Sequence, residues 1–342
     1  MFFQSRTFHV AKDAGFAEEY EDAFCVDGER GTAAIADGVS SAIFSALWAQ
    51  ILTRALVEAP PNVHDADAFK AWLTERRAEW LAGIDLPNMG YFQKTKLRQV
   101  GGAFCTLCWL QVYPDADQVD ALRYRVYALG DSCLFHVRDG ELLQSFPLRT
   151  AAEFDLDPAA ICSADLGRDH ALDFPAIDEA CAPGDLLILA TDAVAKCLLA
   201  EREAGGVIDW SRYATLHPLN WLAEIEEQRN DRRIRRDDST IVWIRVGDEP
   251  LPEVEEPPVA PPAVEEMPVE SVMDAEETPV EAAVEESSAA AESEEGAPVA
   301  ESIPASDVEP TSVEEAAAPL EITACADEPG EVSSDAPADD KV

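Results

Sequence analysis

ALRYRVYALGDSCLFHVRDGELLQSF, residues 121–146, decides the fold class. It holds three apolar runs of strand length, Ala121–Leu129, Cys133–Arg138 and Glu141–Phe146, rich in Val, Leu, Phe and Tyr. Arg138-Asp139-Gly140 joins the last two, and Asp-Gly supplies the positive φ that a tight hairpin needs. Closely spaced strands of this kind form an antiparallel meander.

Upstream, Gly101-Gly102 opens a further strand candidate, Ala103–Tyr113. Before it lie two helical patterns: one capped by Ser40 or Ser41 and running to Val57, with an apolar stripe from Ile43 to Leu56, and one over Asp67–Ala82. Short β-like runs, Thr7–Ala11, Ala23–Val26 and Thr32–Ala36, begin the chain. Downstream come a continuous apolar strand, Asp185–Ala190, helical segments near Ala193–Ala204 and Leu219–Asn230, and a closing strand, Ser239–Val246. Strict βαβ alternation is missing, so the pattern predicts an α+β domain with helices on the outer faces of two stacked antiparallel sheets.

Composition sets the boundary of that domain. Residues 248–342 carry 29 Asp and Glu against the single Lys341, hold 14 of the 23 prolines and contain no aromatic residue. Such a segment has too little apolar surface to offset the entropy of ordering it, and residues 248–342 are expected to be a disordered acidic Pro/Glu/Ala/Val-rich tail. The tail accounts for −28 of the net charge of −43, leaving −15 on residues 1–247, which are expected to form one domain. An acidic domain is a poor partner for nucleic acid. No run approaches the ~18–20 apolar residues of a membrane span, and the N-terminus lacks a signal-peptide pattern, so a cytoplasmic protein with no membrane contact is expected. Cys105 and Cys108 lie three apart on a strand and so face opposite sides, which argues against a shared metal or redox site.

The acids fall where strands meet loops. Asp37 ends TAAIA, Asp131 follows RVYALG, and Asp192 follows DLLILAT; Asp237 and Asp238 precede STIVWIRV, and Glu21 and Asp22 precede AFCV. One acid at a strand end is usually a turn or cap residue, whereas five such sites are harder to dismiss. Clustered carboxylates repel one another unless a cation sits among them, and an oxygen-rich set suits Mg²⁺ or Mn²⁺. Gly38 lets a backbone carbonyl approach the metal that Asp37 would hold.

The sequence resembles the metal-dependent type 2C serine/threonine protein phosphatases, especially bacterial members. The blocks, in the family's order, are Glu21-Asp22-Ala23; Ala36-Asp37-Gly38-Val39; Gly101 to Leu107; Tyr127 to Ser132 with the hairpin at Arg138–Gly140; Gly184 to Leu187 with Thr191-Asp192; and Arg236 to Val242. The resemblance implies a four-layer α-β-β-α sandwich and hydrolysis of phosphoserine or phosphothreonine in proteins by a metal-activated water. It implies catalytic roles for Asp37, Asp192 and Asp237. The metal set would be Glu21, Asp22, Asp37, Gly38, Asp131, Asp192 and Asp237, holding two Mg²⁺ or Mn²⁺ ions and, through Asp131, a third. Implied partners are a phosphorylated protein substrate and a Ser/Thr kinase or its targets; separately, the charge of the tail suggests a basic partner for it.

Four positions depart from the family pattern. The arginine that grips phosphate, about four residues before Glu21, is Ala17; Ala193, Cys133 and Asp238 replace a glycine, an arginine and an asparagine. Ala17 supports an alternative reading as a catalytically silent module that binds phosphoproteins or a kinase, while the retained acids oppose it. Lys12 is read as a solvated lysine rather than a substitute phosphate grip. Lys94, Lys96 and Arg98 are read as a solvated loop, with guidance of an anionic phosphopeptide as the alternative. His9, His64, His136, His170 and His217 are isolated and suggest no zinc site. Ser132 has no recognisable base and is not a nucleophile.

Overall fold

The computed structural model describes residues 1–256 apart from 14–15, 17–18, 120, 155–157 and 166–173. Ala17, His170 and the acidic segment from 257 onward lie outside the described residues.

Two five-stranded antiparallel sheets stack face to face. The first has the order β1-β12-β11-β7-β8, built from Phe3–Val10, Ser239–Val246, Leu186–Ala190, Cys133–Arg138 and Glu141–Phe146. The second has the order β10-β6-β5-β3-β2, built from Ala176–Cys181, Leu122–Leu129, Leu107–Pro114, Thr32–Ala36 and Ala23–Asp27. Alternate residues of both sheets interlock between them: Ala33, Ile35, Leu110 and Val126 from one side meet Leu134, Leu187, Leu189 and Val242 from the other, all fully buried. The opposite faces are covered by helices. α1 (Ser45–Glu58) and α2 (Ala66–Ala82) pack Trp48, Leu52, Leu73 and Trp80 on the second sheet. α4 (Asp192–Glu203) and α5 (Pro218–Asn230) pack Val194, Leu199, Trp221 and Ile225 on the first. The four-layer α-β-β-α arrangement follows from these three apolar clusters.

The β7–β8 hairpin turns at Asp139 (φ 52°) and Gly140 (φ 79°), as Asp-Gly demands. Other expectations shift. α1 starts later than Ser40 or Ser41; Phe44, left-handed at φ 57°, precedes it and no side chain caps it. The strand expected over Ala103–Tyr113 breaks at Thr106 into β4 (Phe104–Cys105), paired with β9 (Ile161–Cys162), and β5. Cys105 packs under α1 and Cys108 between the sheets, on opposite faces as alternation requires. Lys94, Lys96 and Arg98 lie on a helix, α3 (Tyr91–Val100), rather than in a loop. After β12 the chain stays against the domain: Arg6 donates to the Pro252 carbonyl at 2.7 Å, and the Glu255 N–H donates to the Thr215 carbonyl at 2.8 Å.

Candidate metal centre

Antiparallel pairing brings the acidic strand ends to one edge of the sandwich. Ala36 pairs with Ala23, so the end of β3 and the start of β2 lie side by side. Ala190 pairs with both Ile241 and Cys133, which places the end of β11 beside the starts of β12 and β7. A cleft of ≈220 Å³ opens there, lined by Asp37, Gly38, Asp131, Asp192 and Asp237 with Thr106 and Arg235. Five of the seven residues expected to hold metal therefore share one cleft. Asp22 is buried next to it, and Glu21 faces a neighbouring depression that shares Ser40 with the cleft.

Asp37, Asp131 and Asp22 are each fixed by backbone or by a hydroxyl. Thr106, at the break between β4 and β5, donates its N–H to the Asp37 carbonyl at 2.9 Å, and its Oγ1 accepts the Asp37 N–H at 3.3 Å. Gly38 is required by close approach, because a Cβ there would lie 2.6 Å from the Glu21 carbonyl oxygen. Gly130, at φ 93°, turns the chain between β6 and β7 and so delivers Asp131. Thr191 and Thr240 both donate to Asp22 Oδ2, at 2.9 and 2.6 Å.

Several carboxylate oxygens have no partner. Asp22 Oδ1, Asp131 Oδ1 and Asp192 Oδ1 are buried and unbonded. A buried acceptor left in this state costs about 1–3 kcal/mol, more when charged. Burial, together with mutual repulsion, lifts Asp22, Asp37, Asp131 and Asp192 above the ordinary carboxylate range. Burial and the neighbouring Asp22, Asp192, Asp237 and Asp131 raise Asp37 strongly; burial, Asp238 and Asp192 do the same to Asp22. Burial followed by Asp192 takes Asp131 to about 7, and Asp192 is raised as well, chiefly by burial. Among the described residues, no three acidic, histidine or cysteine side chains close into a ready-made cage. An oxygen-rich edge with orphaned acceptors still fits a hard cation that keeps most of its waters and takes few protein ligands.

Arg235 is the contact that sequence reasoning missed. Its Nη2 donates to Asp192 Oδ2 at 2.5 Å and also contacts Asp237 Oδ2, so one guanidinium offsets two of the clustered charges. Within RRIRR it reads as one of a run of surface arginines, and nothing in its spacing singles it out.

Asp238 also has a role that the family's asparagine would not fill. Its Oδ1 accepts the Lys12 N–H and its Oδ2 the Glu21 N–H, both at 2.6 Å. Two N–H donors need two acceptors, which a carboxylate has and a side-chain amide lacks. Asp238 thereby pins both ends of the segment that carries Glu21. Lys12 is not simply solvated: its ammonium pairs with Glu21 Oε2 at 2.9 Å and donates to Ser40 Oγ at 3.1 Å.

The described histidines are engaged elsewhere. His136 meets Asp185 and Tyr124, His64 meets Tyr127, His217 caps α5, and His9 packs on Tyr20 and Phe24. Ser132 is fully buried and shares a hydrogen bond with Thr106 at 2.8 Å. No helix among the described residues is long and apolar enough to cross a membrane.

No family model matches the chain, and no curated protein matches it. Among solved structures it is similar to bacterial type 2C serine/threonine phosphatases. One is the PPM phosphatase MsPP from Mycobacterium smegmatis, at 20% identity over 72% of this chain and 99% of that one, with a TM-score of 0.43. Another is the catalytic domain of the phosphatase PstP in complex with two manganese ions, at 16% identity, 72% and 99% coverage and a TM-score of 0.45. The chain is also similar to PppA, a key regulatory component of T6SS in Pseudomonas aeruginosa, at 15% identity, the same coverage and a TM-score of 0.44.

Proposed function

We propose that this protein is a metal-dependent phosphatase of phosphoserine and phosphothreonine in proteins, acting in the cytoplasm against a Ser/Thr kinase. The observation that carries the reading is the convergence of Asp37, Asp131, Asp192 and Asp237 on one cleft, with buried carboxylate oxygens left unbonded. No stability argument accounts for such a cluster, since it costs folding energy at neutral pH. In this reading Asp37, the Gly38 carbonyl, Asp192, Asp237, Glu21 and Asp22 would hold two Mg²⁺ or Mn²⁺ ions, and Asp131 would hold a third. Such ions, when bound, would supply a water acidified towards neutral pH and charge to offset the phosphoryl oxygens.

The chain's own residues then position these ligands. Thr106 holds the Asp37 backbone, Thr191 and Thr240 orient Asp22, and Asp238 fixes Glu21 through its N–H. Hydrolysis of a phosphothreonine peptide by the full chain with Mn²⁺, and its loss in EDTA, tests the reading. A folded chain that binds metal yet hydrolyses nothing would favour the silent binding module instead.

A further inference from the structure

α3 stands apart from the other α-helices among the described residues. None of its ten residues is buried, and its sequence, YFQKTKLRQV, carries three cations and no acid within a domain of net charge −15. Tyr91 and Phe92 are 80% and 86% exposed, and their rings meet edge to face at 6.1 Å. Helical periodicity puts Tyr91, Lys94 and Arg98 (i, i+3, i+7) in one row, so an aromatic ring is followed by two basic groups along one face, while Phe92 and Lys96 (i, i+4) lie more than a quarter-turn round the helix. The helix also reaches the cleft: Lys96 Nζ donates to the Ser40 carbonyl at 3.2 Å, and Ser40 lines the cleft beside Asp37 and Gly38.

Two large exposed rings cost hydration free energy unless something covers them, and an uncompensated basic row on an acidic molecule attracts an anionic partner. The position of α3 next to the carboxylate cleft selects which anion. We propose that α3 is a docking surface for the substrate segment flanking the phosphorylated residue, and that it selects segments carrying acidic residues together with an apolar side chain. The inference rests on the phosphatase reading and adds a sequence preference to it. Lys94 and Arg98 would pair with the acidic side chains, and Tyr91, in the same row, would cover the apolar one. A local preference of this kind counters the repulsion that an acidic domain otherwise exerts on a phosphorylated, acidic segment.

Binding is measured by fluorescence anisotropy with the full chain in EDTA, so that no turnover intervenes. The probes are two phosphothreonine peptides of equal length, one flanked by Glu and Leu, the other by Ser and Gly. The expected result is at least tenfold tighter binding of the acidic-apolar peptide. Tyr91→Ser and Arg98→Glu, both at exposed positions, should each remove most of that difference while moving the Ser/Gly peptide less than twofold. Equal affinities for the two peptides, or variants that weaken both alike, overturn the proposal. Sedimentation with vesicles of phosphatidylserine and phosphatidylcholine provides the competing outcome: capture that the two variants abolish, with peptide affinities unchanged, assigns the surface to a membrane and also overturns it. Loss of the peptide preference in the variants, in a chain that hydrolyses no phosphopeptide with Mn²⁺, would leave the docking surface standing and defeat the phosphatase reading alone.

Discussion

Asp185 and Asp192 stand at the two ends of the same central strand, β11, and their surroundings are opposite. Both are buried, with Asp185 3% and Asp192 7% exposed. Asp185 is saturated: Arg138 donates to both its oxygens at 2.7 Å, with His136 at 2.9 Å and the Ala182 N–H at 2.8 Å. Burial alone would raise it, but these donors hold it below the usual carboxylate range. Asp192 has one guanidinium on Oδ2 and an orphaned Oδ1, and it is raised. The sandwich therefore uses one carboxylate to fasten its far edge and leaves the other under-bonded at the cleft. An acid with every lone pair satisfied is a structural group. An acid buried among other acids with acceptor capacity to spare is held ready for a cation.

The largest effects should separate these two ends completely. Asp192→Asn or Asp37→Asn is expected to lower the hydrolysis rate by roughly a thousandfold or more, several kcal/mol of lost metal-dependent stabilisation, without lowering the urea midpoint measured in EDTA. Asp185→Asn should do the reverse, costing about 2–4 kcal/mol of stability by stranding its donors while the folded fraction keeps its activity. An Asp185 variant that lost activity without losing stability would break the contrast.

The pH dependence of stability in EDTA should carry opposite signs at the two ends. Asp131, at the cleft, titrates near 7 in the folded state. The folded chain therefore holds a proton that the unfolded chain, with a carboxyl near ~3.9, has released. Its contribution is full below the unfolded value and lost as pH rises through about 7. Asp131→Asn should thus exceed the parent by about 2–4 kcal/mol at pH 8 and converge with it near pH 4. Asp185 is lowered, so its contribution is present above the unfolded value and lost as pH falls through its folded value. The deficit of Asp185→Asn should be full at pH 7 and shrink below about pH 4.

Smaller effects sharpen the picture. Asp238→Asn, which leaves one of two N–H groups facing an amide, should cost about 1–2 kcal/mol, read from urea unfolding. Arg235→Ala should change stability by no more than about 1 kcal/mol in EDTA, because half of that side chain is in solvent. A larger loss would mean that the cleft is held together by Arg235 and is not kept open for a cation.

Much of this was legible in the sequence, and the failures have physical causes. Strands with buried, alternating or continuous apolar residues, such as Cys133–Arg138 and Ser239–Val246, coincide with β7 and β12. The acids at their ends follow directly, since strand termini fix the loops that carry them. β10, AIDEAC, is an edge strand with mostly exposed or half-buried residues and has little apolar signal. α3 is short and polar overall and none of its residues is buried, so it lacks the strong apolar run that marks α1. The Ser40 cap failed because Ser40 Oγ donates to Glu21 Oε2 at 2.5 Å, and the chain turns into α1 through left-handed Phe44. Asp185 reads as the first residue of a buried strand, and its clamp comes from β7, 47 and 49 residues away in sequence. Pairing across strands decides which acid is satisfied, and no local pattern encodes it.

The most direct test is the hydrolysis of a phosphothreonine peptide by the full chain, with Mn²⁺, with Mg²⁺ and with EDTA, beside Asp37→Asn, Asp192→Asn and Asp185→Asn. Metal-dependent release of phosphate that both cleft variants lose and Asp185→Asn keeps is the result expected of a carboxylate metal centre. Turnover that persists in EDTA, or that survives both cleft substitutions, would contradict it.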